Sequence, residues 1–123
     1  MTVQQLYESI GGSYESARRI LQMDKLIAKF ILKFLDDKSF EQLSSSWAAR
    51  DAAGTFDGAH AMKGVCANLG LDALSASASV LAEEFRPGHA RAMDDDEVTR
   101  RVSALRADYE HTLEGIRAFA AAQ

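Results

Sequence analysis

The sequence predicts an all-α fold, an antiparallel four-helix bundle with short additional helical segments at its N-terminus. Three observations carry that expectation. Apolar residues recur at spacings of three and four through most of the chain, and no stretch alternates with a period of two long enough to suggest a sheet. Glycine and proline fall mainly at boundaries, at Gly11-Gly12, Gly70 and Pro87-Gly88.

Taken in order, Val3 to Ile10 reads as a short helix ended by the double glycine. Ser13 is placed to cap a second segment from Tyr14 towards Leu21, with Glu15 in its first turn. Met23, Ile27, Phe30, Ile31 and Phe34 form a core-facing stripe on a third helix, for which Asp24 is the expected cap. Ser39 and Gln42 have the form of a capping box, and Phe40, Leu43 and Trp47 continue the apolar pattern. Core packing accounts for Trp47 and most of the phenylalanines without any ligand.

Asp51 then starts a helix that runs to Leu69 and stops at Gly70, although Gly54, Gly58 and Gly64 weaken it. Leu71, Leu74, Ala78, Leu81 and Phe85 mark the next amphipathic helix, whose serines and alanines allow a neighbour to approach closely. After Pro87-Gly88, Asp94 and Glu97 form a second capping pair. They open a long last helix with an apolar stripe at Val98, Val102, Leu105, Tyr109, Ile116 and Phe119 or Ala120.

A length of 123 residues suits one domain, 1–123, and is too short for two domains with a linker. All the stripes can be satisfied within one bundle, so a monomer is expected. No run approaches the roughly 18 apolar residues of a membrane span, and MTVQQLYES has neither the basic start nor the apolar run of a signal peptide, so a cytoplasmic location without membrane association is expected. A net charge of -4, with basic pairs such as Arg18-Arg19 and Arg100-Arg101 diluted by acids, argues against nucleic acid as the main partner. Cys66 is the only cysteine, which excludes an intrachain disulfide and a thiolate zinc cluster and suits a buried structural thiol.

The stretch AHAMKGVCANLG, residues 59–70, carries the chemistry. At about 100° per residue, Ala59, Met62, Cys66 and Leu69 gather on the core side, while Phe56, Lys63, Gly64 and Ala67 lie near His60. An exposed neutral imidazole offers a nitrogen nucleophile near neutral pH. Lys63, one turn on and about 4.5 Å along the axis, can bring its ammonium to a phosphoryl oxygen on His60. Glycine at position 64 costs a helix about 1 kcal/mol, which makes sense where a Cβ would crowd an incoming phosphoryl group or a docked partner. Periodicity alone leaves open the plainer reading, a solvated helix face on which Gly64 marks tight helix packing.

His89 in the loop expected after Pro87-Gly88 and His111 beside Glu110 and Glu114 read as surface or packing residues, and no histidine stands four positions after His60 to make a zinc motif. Gly11-Gly12 lacks the spacing and lysine of a phosphate-binding loop, so no nucleotide site is expected.

The segment resembles the histidine-containing phosphotransfer (HPt) family, whose signature sets histidine, two residues, lysine and glycine in sequence after a small residue and before a further glycine at the helix end. Here these are Ala59, His60, Met62 as the apolar residue before Lys63, then Gly64 and Leu69-Gly70, with Asn68 matching a common variant. Gly54 and Gly58 are less expected in the motif helix. The resemblance extends to the order of helical stripes over most of the chain, and it implies a four-helix bundle without an ATP-binding domain. It implies phosphoacceptance for His60, orientation and charge stabilisation for Lys63, and steric access for Gly64. A chain of this kind is a carrier, not an enzyme; it needs no cofactor of its own, and acid chemistry and Mg²⁺ come from the partner. The implied partners are a response-regulator receiver domain and, as a further candidate, a histidine kinase. The alternative is a helical adaptor that binds receiver domains without transferring phosphate.

Overall fold

The computed structural model describes residues 1–123 as seven helices. These are α1 (Val3–Ile10), α2 (Tyr14–Leu21), α3 (Asp24–Lys33), α4 (Ser39–Ala48), α5 (Ala52–Asn68), α6 (Asp72–Glu84) and α7 (Asp95–Ala121), with a 3-10 turn at Phe34–Asp36 after α3. None of them is long and apolar enough to cross a membrane.

Most helix starts follow the expected capping chemistry. The side chains of Ser13, Asp51 and Asp94 accept from the amides of Ser16, Gly54 and Glu97. Two caps differ from expectation. Met23 precedes α3 with extended backbone, while Asp24 lies inside the helix and accepts from the Tyr14 hydroxyl at 2.6 Å. At α4 no Ser39–Gln42 box forms. The Asp37 carboxylate instead accepts from both the amide and the hydroxyl of Ser39, at 3.0 and 2.5 Å. A reciprocal capping box does occur at α1, between Thr2 and Gln5.

The α3 stripe is also narrower than expected. Ile27, Ile31 and Phe34 are buried, whereas Met23 is 51% and Phe30 37% exposed. Met23 sits outside the helical geometry, and Phe30 falls on the flank of the stripe, about 60° round from Ile27.

Helices α4 to α7 form the bundle. Helix α5 packs most extensively, against α4 on one side and α6 on the other. Gly54 comes close to Ser46 and Gly58 to Leu43, an order that makes α4 and α5 antiparallel. Helix α7 runs antiparallel to α4, since Trp47 Nε1 donates to Thr99 Oγ1 at 3.0 Å and the Phe40 ring stacks on Tyr109 at 4.7 Å. Of the glycines that weaken α5 on propensity grounds, Gly58 thus has a packing cause. A Cβ on Gly58 would stand 2.7 Å from Leu43 Cα, so only glycine lets the two backbones approach this closely.

A single apolar cluster of 27 buried residues draws on every helix, from Val3 to Phe119. The short N-terminal helices brace the end of α5. The Tyr7 hydroxyl donates to the Leu69 carbonyl at 2.5 Å, and the Ser13 amide donates to the Gly70 carbonyl at 2.8 Å. Gly70 itself is left-handed, with φ of 71°, and its α-carbon packs against Ser13 and Ala17. At the opposite end, the buried Glu84 carboxylate accepts from the amides of Ala92 and Met93 at 3.0 and 2.8 Å and pairs with Arg91, which fastens the α6–α7 connection to the bundle.

Candidate functional site

Helix α5 has two faces of opposite character. Thr55, Gly58, Ala59, Met62 and Cys66 are buried. His60, Ala61 and Gly64 are exposed, and Phe56, Lys63 and Ala67 lie half-buried beside them. The structure therefore brings the three residues singled out in the sequence, His60, Lys63 and Gly64, onto one accessible face.

The helix beneath that face is held at several points. The Asp51 side chain caps it, and the hydroxyl of the buried Thr55 donates to the Asp51 carbonyl at 2.7 Å. Gly58 seats it against α4. Ser75 on α6 donates its hydroxyl to the Lys63 carbonyl at 2.9 Å, so the turn that carries Lys63 is tied across the bundle. The Lys63 ammonium takes part in none of the ion pairs of the molecule and remains available to an incoming anion.

Around Gly64 a Cβ would meet nothing within 4 Å. Tight helix packing is therefore not the reason for glycine at this position; that explanation belongs to Gly58. The Phe56 ring stacks on the His60 imidazole, with centroids 5.4 Å apart and planes inclined by 16°. The helical spacing places Phe56 next to His60, but the parallel stack depends on both rotamers and has no sequence signal beyond an aromatic residue four positions earlier.

On the opposite face, burial pushes the Cys66 thiol up to about 12 from its ordinary 9.0, which leaves it a neutral packing group. His89 and His111 are exposed and lie outside α5, and His111 Nε2 stands 3.4 Å from the Ser9 carbonyl oxygen. No group of three or more histidine, cysteine, aspartate or glutamate side chains is placed to hold a metal ion.

A groove of about 770 Å³ opens between α2, α3 and the second half of α5. Ile20, Phe30, Lys33, Val65 and Asn68 are among its lining residues. It reaches α5 roughly one and a half to two turns beyond His60. The Lys29 and Lys33 ammoniums lie 5.8 and 5.4 Å from the centroid of the Phe30 ring, and Asp36 and Asp37 line the groove together with Lys33, so its rim carries charges of both signs. Sequence periodicity assigned Phe30 to the core and so gave no sign of this groove.

No match to the chain was found among curated proteins or among solved structures. The family model of the Hpt domain matches residues 15–117, a span that contains α3 to α6 complete, most of α2 and all but the last turn of α7. With that much of the bundle matched, including the whole of the helix that presents His60, the chain belongs to the Hpt domain family.

Proposed function

We propose that this protein is a phosphorelay intermediate, accepting a phosphoryl group on His60 and passing it to or from the aspartate of a receiver domain. The observation that carries the reading is the exposure of His60 beside an unpaired Lys63 and an open Gly64, on a helix otherwise held rigidly in the bundle.

In the forward step a ring nitrogen of His60 attacks the phosphorus of the receiver's aspartyl phosphate. The nitrogen–phosphorus bond forms, the phosphorus–oxygen bond breaks, and the carboxylate leaves with the electron pair. The proton on the other ring nitrogen stays on the imidazole. Charge accumulates on the phosphoryl oxygens during transfer, and the Lys63 ammonium is close enough along the helix to offset it. The open space over Gly64 lets the receiver surface approach until phosphorus and nitrogen align.

The groove beside this face supports docking of the receiver there. Its apolar floor gives area to bury, and on the His60 face the Lys63 ammonium, which takes part in no ion pair, presents positive charge to a partner whose phosphorylated aspartate is anionic. We read the protein as monomeric, with the receiver as its main partner.

His60→Gln tests the reading. The variant is expected to keep its helical spectrum and receiver binding and to lose labelling by a phosphorylated receiver. Stoichiometric transfer into this variant would exclude His60 as acceptor. A parent protein that binds receivers but is never labelled would favour the non-transferring adaptor.

A further inference from the structure

We propose that Phe56 is a positioning residue for phosphotransfer, holding the His60 ring in the plane from which its nitrogen reacts. This deepens the phosphorelay reading and rests on His60 being the acceptor.

An imidazole lone pair lies in the plane of the ring, so the set of directions from which a phosphorus atom can be attacked is fixed once that plane is fixed. A solvent-exposed histidine on an open helix face ordinarily samples several rotamers, most of which turn the lone pair away from a docked partner. Here the ring is not free. Phe56 stands one turn earlier on α5, leans on the core with one part of its surface, and lies nearly parallel to the imidazole at 5.4 Å. One face of the His60 ring is thereby flanked by the Phe56 ring, while the residue remains exposed.

The support beneath Phe56 is itself anchored. Thr55, its neighbour, is fully buried and hydrogen-bonded to Asp51, and Gly58 two residues on is pressed against the backbone of Leu43. The Phe56 ring is thus a fixed platform, and the stack transmits the rigidity of the bundle to the exposed nucleophile. Lys63 and Gly64 act on the phosphoryl group and the partner; neither touches the orientation of the imidazole.

Replacing Phe56 by leucine keeps apolar volume and helix propensity and removes the planar face, whereas tyrosine keeps the face. The stack should make His60 protons resonate upfield in the parent and in Phe56→Tyr, and move them towards free-histidine positions in Phe56→Leu. With a receiver domain phosphorylated by acetyl phosphate, the maximal transfer rate of Phe56→Leu is expected to fall by about two- to thirteenfold, the range that loss of an aromatic pair converts to. The receiver concentration at half-maximal rate should stay unchanged, and Phe56→Tyr should transfer at the parental rate. The proposal is overturned if Phe56→Leu loses the upfield shift yet transfers at the parental maximal rate, or if tyrosine fails to restore what leucine loses. Should Phe56→Leu unfold, Phe56→Trp keeps a planar face and Phe56→Met removes it, and the same two readouts apply. His60→Gln run beside them separates the failures: if it is labelled like the parent, His60 is not the acceptor and the positioning role falls with it.

Discussion

Gly58 and Gly64 stand six positions apart on the same helix and are glycine for opposite reasons. A Cβ on Gly58 would run into the backbone of Leu43, so glycine there is what allows α4 and α5 to pack. A Cβ on Gly64 would meet nothing, so no contact within the protein requires glycine at that position. The contrast extends along the two faces of α5. Cys66 and Met62 are sealed in the core, whereas His60 and Lys63 face outwards. One helix therefore serves as the central packing element of the bundle and presents the proposed reactive surface, and a helix restrained so firmly on one side can hold a side chain in place on the other.

The largest expected effect is at Gly58. Alanine would relieve a helix-propensity penalty of about 1 kcal/mol, but its methyl group would press on backbone that cannot rotate aside, so overpacking wins and Gly58→Ala should destabilise the fold by about 1–3 kcal/mol. Denaturant unfolding measures this. A midpoint at or above that of the parent would mean that the α4–α5 approach is not as close as described.

On the other face, Lys63→Ala is expected to leave stability within about 0.5 kcal/mol of the parent. It should lower the transfer rate more than the affinity for an unphosphorylated receiver, because its charge matters most while phosphate crosses. Rapid-quench transfer and titration on the same samples separate the two. An equal loss in both would move Lys63 from chemistry to docking.

Gly64→Ala should raise stability, by up to about 1 kcal/mol, by removing the same propensity penalty with no clash to oppose it. Gly64→Leu should fold as well as the parent yet obstruct docking. Parental binding and transfer in Gly64→Leu would end the distinction between the two glycines.

At neutral pH the smallest effect is expected at Cys66, where the thiol should react with a disulfide reagent only as fast as the protein opens. Its pKa is raised in the folded state, so the fold favours the neutral thiol. That contribution is complete below the ordinary value of 9.0 and is lost as pH rises from there towards about 12. Rapid labelling of native protein at pH 7 would contradict the buried face.

The helices were legible because their stripes follow the helical period and their ends carry glycine, proline or capping side chains. The misassigned caps show the limit of that signal. Asp24 and Ser39 are the right residue types one position too far along, and the Ser39 amide donates to the carboxylate of Asp37, the bond that a capping box would assign to the Gln42 side chain. Phe30 was misplaced because periodicity gives the centre of a stripe more reliably than its width. The exposure of His60 could be read from its angle to Met62 and Cys66. Its stack with Phe56 depends on side-chain rotamers, and the groove depends on how α3 sits against α5; neither is written in local spacing. Glu84 left no trace, because two of its partners, at Ala92 and Met93, are backbone amides that any residue would supply, and its third, Arg91, lies seven positions away across the α6–α7 connection.

The hydroxyl of Tyr7 on the Leu69 carbonyl has a consequence for how this module is delimited. The family match begins at residue 15, after α1, yet α1 contributes the fully buried Leu6 and Tyr7 and touches the turn where the histidine-bearing helix ends. The span by which the chain is recognised is therefore shorter than the span that holds it together. Moved into another protein as a cassette cut at the recognised boundary, the bundle would lose a brace under its histidine-bearing helix; cut before Thr2, it would carry that brace with it.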